Sequence, residues 1–154
     1  MAMTLEQLKD QLSAIEPDNS IYNGIGSSEI PLLEQLLQDQ EVWMASRAVF
    51  ALSKVPDMRA VTVLSQAVAD PRQEVRVSVA ASVSNLRPSD ANSILVQLLD
   101  DTDLGVRKFA VKAVSETHDA SVQAKLRDLG LQDPTPLIRA IAQDRLRELR
   151  LIEP

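Results

Sequence analysis

A seven-residue run recurs three times in this chain: Asp70-Pro71-x3-Val75-Arg76, Asp101-x4-Val106-Arg107 and Asp133-Pro134-x3-Ile138-Arg139. The arginines stand 31 and then 32 residues apart. A period in that range marks a repeat array, in which each unit is one supersecondary element stacked on the next. A further 31 residues toward the N-terminus lies Ala45, where the arginine is missing but the apolar frame survives. Two residues before the Asp position come Leu37, Val68, Leu99 and Leu131, and seven before it come Leu32, Val63, Ile94 and Leu126. Three after the Arg position come Ala48, Val79, Ala110 and Ala142, and seven after it Leu52, Val83, Val114 and Leu146. Such offsets gather apolar side chains on one face of a helix.

Each unit therefore reads as two helices joined by a turn that carries the Asp. The predicted helices are 29–38 and 41–54, 58–69 and 73–85, 89–100 and 104–116, and 120–131 and 136–150. Between pairs lie Pro56-Asp57, Arg87-Pro88-Ser89 and His118-Asp119-Ala120, and Pro breaks a helix by lacking an N–H. Ser89 and Asp119 are expected N-caps. No window alternates apolar and polar residues, so no strand is predicted. The pairs span about 29–56, 57–87, 88–118 and 119–150, and residues 29–154 are expected to form one continuous domain.

Residues 1–28 fall outside the repeat. Thr4-x-x-Gln7 has the spacing of a capping box, and Leu5, Leu8, Leu12 and Ile15 share one face of a helix predicted to end near Glu16-Pro17. That stripe is expected to cover the open side of the first pair. The loop from Asp18 to Ser28 is long for a compact domain. At the other end Asp144, Arg145, Arg147, Glu148 and Arg150 are expected to give the last helix a polar outer surface, as on a terminal repeat.

Aromatic residues make up only 3% of the 154 residues, against 45% hydrophobic overall, which suits thin layers of aliphatic helix packing. The chain has no cysteine, so it has neither a disulfide framework nor thiol chemistry. It lacks an apolar run long enough to span a membrane and the basic-then-apolar start of a secretory signal. A cytoplasmic monomer without membrane association is the expectation.

The helix pairs, the period and the D-x4-[VI]-R turn ahead of an Ala-rich second helix resemble HEAT repeats. Specifically, they are similar to the short bacterial HEAT-like type found in phycobilin lyase subunits and in stand-alone bacterial proteins. The resemblance covers about 29–150 and departs at Ala45 and at Gly130, which sits inside a helix. It implies an all-α, right-handed solenoid whose second helices line the concave side.

Catalytic groups are scarce. The only histidine, His118, falls in a turn and is expected to be exposed there. A metal site built on imidazole and thiolate is therefore unavailable, and so is a Ser–His or Cys–His nucleophile system with a third orienting group. Gly24-x-Gly26 could offer N–H groups to an anion, but it follows no strand and lacks the Lys-Ser/Thr of a phosphate loop. Asp70, Arg76, Asp101, Arg107, Asp133 and Arg139 read as a structural ladder, each Asp accepting N–H groups at the start of a second helix. The HEAT-like resemblance implies the same role.

That leaves the exposed face of the second helices. Trp43, Arg47, Phe50, Lys54, Ala81, Lys108 and Lys112 form the predicted protein-binding set, a small-residue and apolar strip ringed by cations. Trp43 stands where the other units have Glu74, Gly105 and Leu137, so the repeat does not require it, and it reads either as an anchor for a partner or as packing against the N-terminal helix. These features predict a non-catalytic interaction module without cofactor or metal, whose partner is a protein with an acidic or mixed surface. The resemblance also implies an alternative, a phycobilin lyase-like or phycobiliprotein-handling accessory subunit. Nucleic-acid binding is opposed by the net charge of −6, because it rests on phosphate neutralisation.

Overall fold

The computed structural model describes residues 2–15 and 18–153. Among them the ordered secondary structure is entirely helical, and the chain divides into two compact units, Met1–Ser82 and Val83–Pro154.

In the first unit, α1 (Leu5–Leu12) is followed by 3₁₀ turns at Asn19–Tyr22 and Ser27–Glu29. Two pairs then follow, α2 (Ile30–Leu36) with α3 (Val42–Ser53) and α4 (Met58–Ala67) with α5 (Gln73–Ser82). The capping box closes at both ends: Gln7 N donates to Thr4 Oγ1 at 3.1 Å and Thr4 N to Gln7 Oε1 at 2.9 Å. Leu8 and Leu12 are fully buried where α1 meets α2 and α3. The predicted extension of α1 toward Glu16-Pro17 fails in its described part, and those two residues lie outside the described set. Ser13 ends the helix by turning its Oγ onto Lys9 O, and Ile15 beyond it is 97% exposed. The loop after α1 is tied down, because Gln11 Nε2 donates to Ile21 O at 2.8 Å and Asn23 O at 2.6 Å. Within it Gly24 has φ +74°, a left-handed conformation that side chains with a Cβ avoid.

The second unit opens with a 3₁₀ turn at Val83–Asn85 and contains α6 (Pro88–Leu99), α7 (Leu104–Ala113), α8 (Ala120–Gln132) and α9 (Pro136–Glu148). Asp119 caps α8 as predicted, accepting from Ser121 N and Val122 N. Ser89 is not the cap of α6. Pro88 takes the first helical position, where its missing N–H costs nothing, and moves the cap to Arg87. Gly130 lets α9 approach α8: a Cβ there would stand 3.3 Å from Gln143 Cγ, and Gln143 Nε2 donates to Gly130 O at 2.6 Å.

The alanines three after the Arg position, Ala48 of α3, Ala110 of α7 and Ala142 of α9, are fully buried. Their small side chains let second helices pack closely, α3 on α5 and α7 on α9. One frame residue departs. Leu131 is 75% exposed. Its counterpart Leu99 lies in a cleft shared with Lys125 and Leu129 of α8, whereas no further helix pair follows α9 among the described residues to cover Leu131.

Candidate protein-binding face

The Asp–Arg runs fold into one recurring turn. Asp70 Oδ1 accepts Arg72 N at 2.9 Å, Asp101 Oδ1 accepts Asp103 N at 2.8 Å and Asp133 Oδ1 accepts Thr135 N at 2.9 Å. The arginine six residues on then reaches the carbonyl of the same Asp, Arg76 to Asp70 O, Arg107 to Asp101 O and Arg139 to Asp133 O, at 2.8, 2.9 and 2.6 Å. Each turn thus satisfies a backbone donor and an acceptor that would otherwise be orphaned beside a helix end. In the second unit Arg107 also bridges to the next turn, with Nε 2.9 Å from Asp133 Oδ2 and Nη2 3.2 Å from Oδ1.

The pair with Ala45 solves the same problem with a different arginine. Asp39 Oδ1 accepts Glu41 N at 2.9 Å, so the turn forms, but no arginine lies six residues on. Arg72 fills the gap by donating to Asp39 O at 3.0 Å and to Leu37 O while its Nε pairs with Asp70 Oδ1 at 3.0 Å. Burial acts to raise the Asp70 carboxyl, yet the Arg72 side chain and N–H outweigh it and hold it below its ordinary value.

The predicted binding residues fall on these second helices in two groups. In the first unit, Trp43, Arg47, Phe50 and Lys54 follow i, i+4, i+7 and i+11 spacing along α3 and its C-cap. Trp43 is 43% exposed, and the Arg47 guanidinium lies 5.0 Å from its ring centroid. Arg47 is also held from below, donating to Leu12 O and, at 2.8 Å, to Ala14 O at the end of α1. Lys54 Nζ sits 5.4 Å from the Tyr22 ring, whose hydroxyl is pushed above its ordinary pKa by burial despite the Arg47 charge. Phe50 and Ala81 are half-buried.

In the second unit, Lys108 and Lys112 extend along α7, and neither makes an ion pair among the described residues. Lys112 Nζ stands 5.9 Å from the ring of Phe109, which is 40% exposed. Phe109, absent from the predicted set, sits two residues after its repeat's arginine, in register with Arg47 and Ile141. Reading that register across the repeats would have found it. Lys112 also lines a shallow cleft of about 190 Å³ with Ile141, Asp144 and Glu148 of α9, and Leu137 of α9 is 51% exposed.

Three other groups sit differently from expectation. His118 is buried, not exposed: its Nδ1 accepts Ser115 N at 2.8 Å and its carbonyl accepts Gln123 Nε2. Burial pushes the imidazole below its ordinary pKa. Gly26 N does not await an external anion, because Glu29 Oε1 accepts it at 2.8 Å. Arg145, expected on the outer surface, closes the end of α7 by donating to Val114 O at 2.9 and 2.7 Å. Among the described residues no group of three or more His, Asp or Glu is placed to hold a metal, and no helix is long and apolar enough to cross a membrane.

Among solved structures, a designed armadillo repeat protein in complex with the peptide (KR)4 is similar, with a TM-score of 0.53 at 18% identity over 94% of this chain and 81% of that one. An engineered protein of known crystal structure matches at a TM-score of 0.48 and 16% identity, over 97% of this chain and 98% of its own. No curated protein matches the sequence. A family model for HEAT repeats matches residues 63–147, more than half of the chain. The recurring Asp–Arg turns and paired helices are therefore those of a HEAT repeat protein, and this chain belongs to the HEAT-repeat family.

Proposed function

We propose that this chain is a non-catalytic protein-binding module that offers the exposed face of its second helices to a partner with an acidic or mixed surface. One observation carries the reading: α3 and α7 hold no acidic residue, although the chain as a whole has 22 acidic against 16 basic side chains. Arg47 and Lys54 are the charges of α3 and its C-cap, and α7 carries Arg107, Lys108 and Lys112. Arg107 is consumed by its turn, which leaves Lys108 and Lys112 to face a partner. Complementary charge speeds encounter and rejects wrong partners, and exposed aromatic groups supply anchors. The designed armadillo neighbour holds a basic peptide, whereas the charges on α3 and α7 suit the opposite sign.

The test is a protein captured from the native host and titrated against the Lys108→Glu/Lys112→Glu variant. Both positions tolerate a charge, so folding stays intact and affinity falls about tenfold or more. Unchanged affinity would place the interface elsewhere. Turnover of any offered substrate, a bilin adduct included, would overturn the non-catalytic reading.

A further inference from the structure

The chain has four aromatic residues, and none is among its buried hydrophobic core residues. Leucine, isoleucine, valine, alanine and one methionine fill that role. Three of the four rings instead carry a cation: Trp43 with Arg47, Tyr22 with Lys54, and Phe109 with Lys112. Resting on the reading that second helices form the interface, we propose that the segment they bind is acidic and carries large apolar side chains beside its carboxylates.

The physical case combines two requirements. An exposed lysine alone pairs weakly with a carboxylate, because water screens the charge and the long side chain must be ordered. An ammonium already held over a ring has lost part of that freedom, so less entropy is spent when a carboxylate arrives. The Phe109 ring beneath Lys112 is 40% exposed and still offers apolar surface, which a polyanion without apolar groups cannot use. A basic segment would meet Lys108 and Lys112 with like charge. A segment alternating carboxylates with aromatic or large aliphatic groups uses both halves of each pair. The two units contribute separate pairs, Tyr22–Lys54 and Trp43–Arg47 in the first and Phe109–Lys112 in the second, so each can be disabled alone.

The experiment titrates the full chain with four labelled probes: a random Glu–Tyr copolymer, poly-Glu, a Lys–Tyr copolymer and an oligo-dT strand. The Glu–Tyr copolymer is expected to bind about tenfold more tightly than poly-Glu, and neither of the other two to compete with it. Phe109→Ala and Lys112→Gln, both at exposed positions, should each weaken Glu–Tyr binding about fivefold, a loss in the range of a partly desolvated ring–cation contact. Equal binding of poly-Glu and Glu–Tyr would remove the aromatic requirement and overturn the proposal. Preferred binding of the Lys–Tyr copolymer, lost in Phe109→Ala, would keep the interface and refute the acidic class. Tighter binding of oligo-dT would replace the peptide with a nucleic acid. Glu–Tyr binding indifferent to both variants would refute the interface as well.

Discussion

Replacing Arg107 by Ala separates a structural arginine from a binding one. Its guanidinium makes two contacts with Asp133, at 2.9 and 3.2 Å, and donates to Asp101 O and Thr102 O at 2.9 and 3.2 Å. The side chains of Arg107 and Asp133 are 11% and 2% exposed. The substitution therefore leaves a buried carboxylate whose remaining partner is Thr135 N, and two turn carbonyls without their donor. Breaking such a pair from one side costs about 3–5 kcal/mol, most of it the penalty of the stranded charge. Residual solvent at Arg107 favours the lower end, about 3 kcal/mol. For a chain of this size that lowers Tm by about 6–12 °C. Chemical denaturation followed by circular dichroism reads the loss, and Arg59→Ala serves as control because the Arg59 side chain in its pair with Asp57 is 65% exposed. A denaturation midpoint unchanged in Arg107→Ala would show that the Arg107–Asp133 pair does not stabilise the fold. An unchanged midpoint together with lost partner binding would make Arg107 a contact residue.

Three further perturbations test local claims. Arg72→Ala removes the donor to Leu37 O and Asp39 O and the cation beside Asp70, and should cost about 1–3 kcal/mol by the same denaturation assay. Gly24→Ala forces a Cβ into φ +74° and should cost about 1–2 kcal/mol, whereas Gly26→Ala, which has open space for a methyl group, should cost little. His118 is held below its ordinary value of 6.5, so the unfolded chain binds its proton more readily. Stability is therefore full above about pH 6.5 and falls as pH drops from there to the folded value, below which this contribution levels off. Thermal midpoints across pH 5–8 should show the slope in the wild type and a reduced one in His118→Gln.

Helix starts were legible because they are written locally. Predicted starts at 58, 73, 104, 120 and 136 coincide with the structure, since Asp57, Asp103, Asp119 and Pro136 sit at or beside them. All ends but that of α8, which runs one residue beyond the predicted 131, were overrun, because the apolar pattern continues past the hydrogen bonding. The α5 pattern runs on to 85 through a 3₁₀ turn, and that of α7 continues although Val114 turns extended at ψ 134°. The proposed binding residues were legible as positions along the second helices, but their intramolecular partners were not. The hold of Arg47 on Leu12 O and Ala14 O spans 33–35 residues, and that of Arg145 on Val114 O spans 31. Nothing in local spacing reveals a backbone carbonyl that distant. His118 was misplaced because a position in a turn does not by itself reveal burial, and here its ring turns back to accept Ser115 N.

In the proposed binding mode second helices, and not first helices or turns, meet the partner. That mode is tested most directly by titrating the isotope-labelled chain with a captured partner and following every backbone amide and the Trp43 indole by nuclear magnetic resonance. Shifts are expected to concentrate in 42–54 and 104–113, including Trp43, Lys108, Phe109 and Lys112, with the exposed sides of α4, α6 and α8 unmoved. Shifts confined to α4, α6 and α8, or to the Asp18–Ser28 loop, would contradict it.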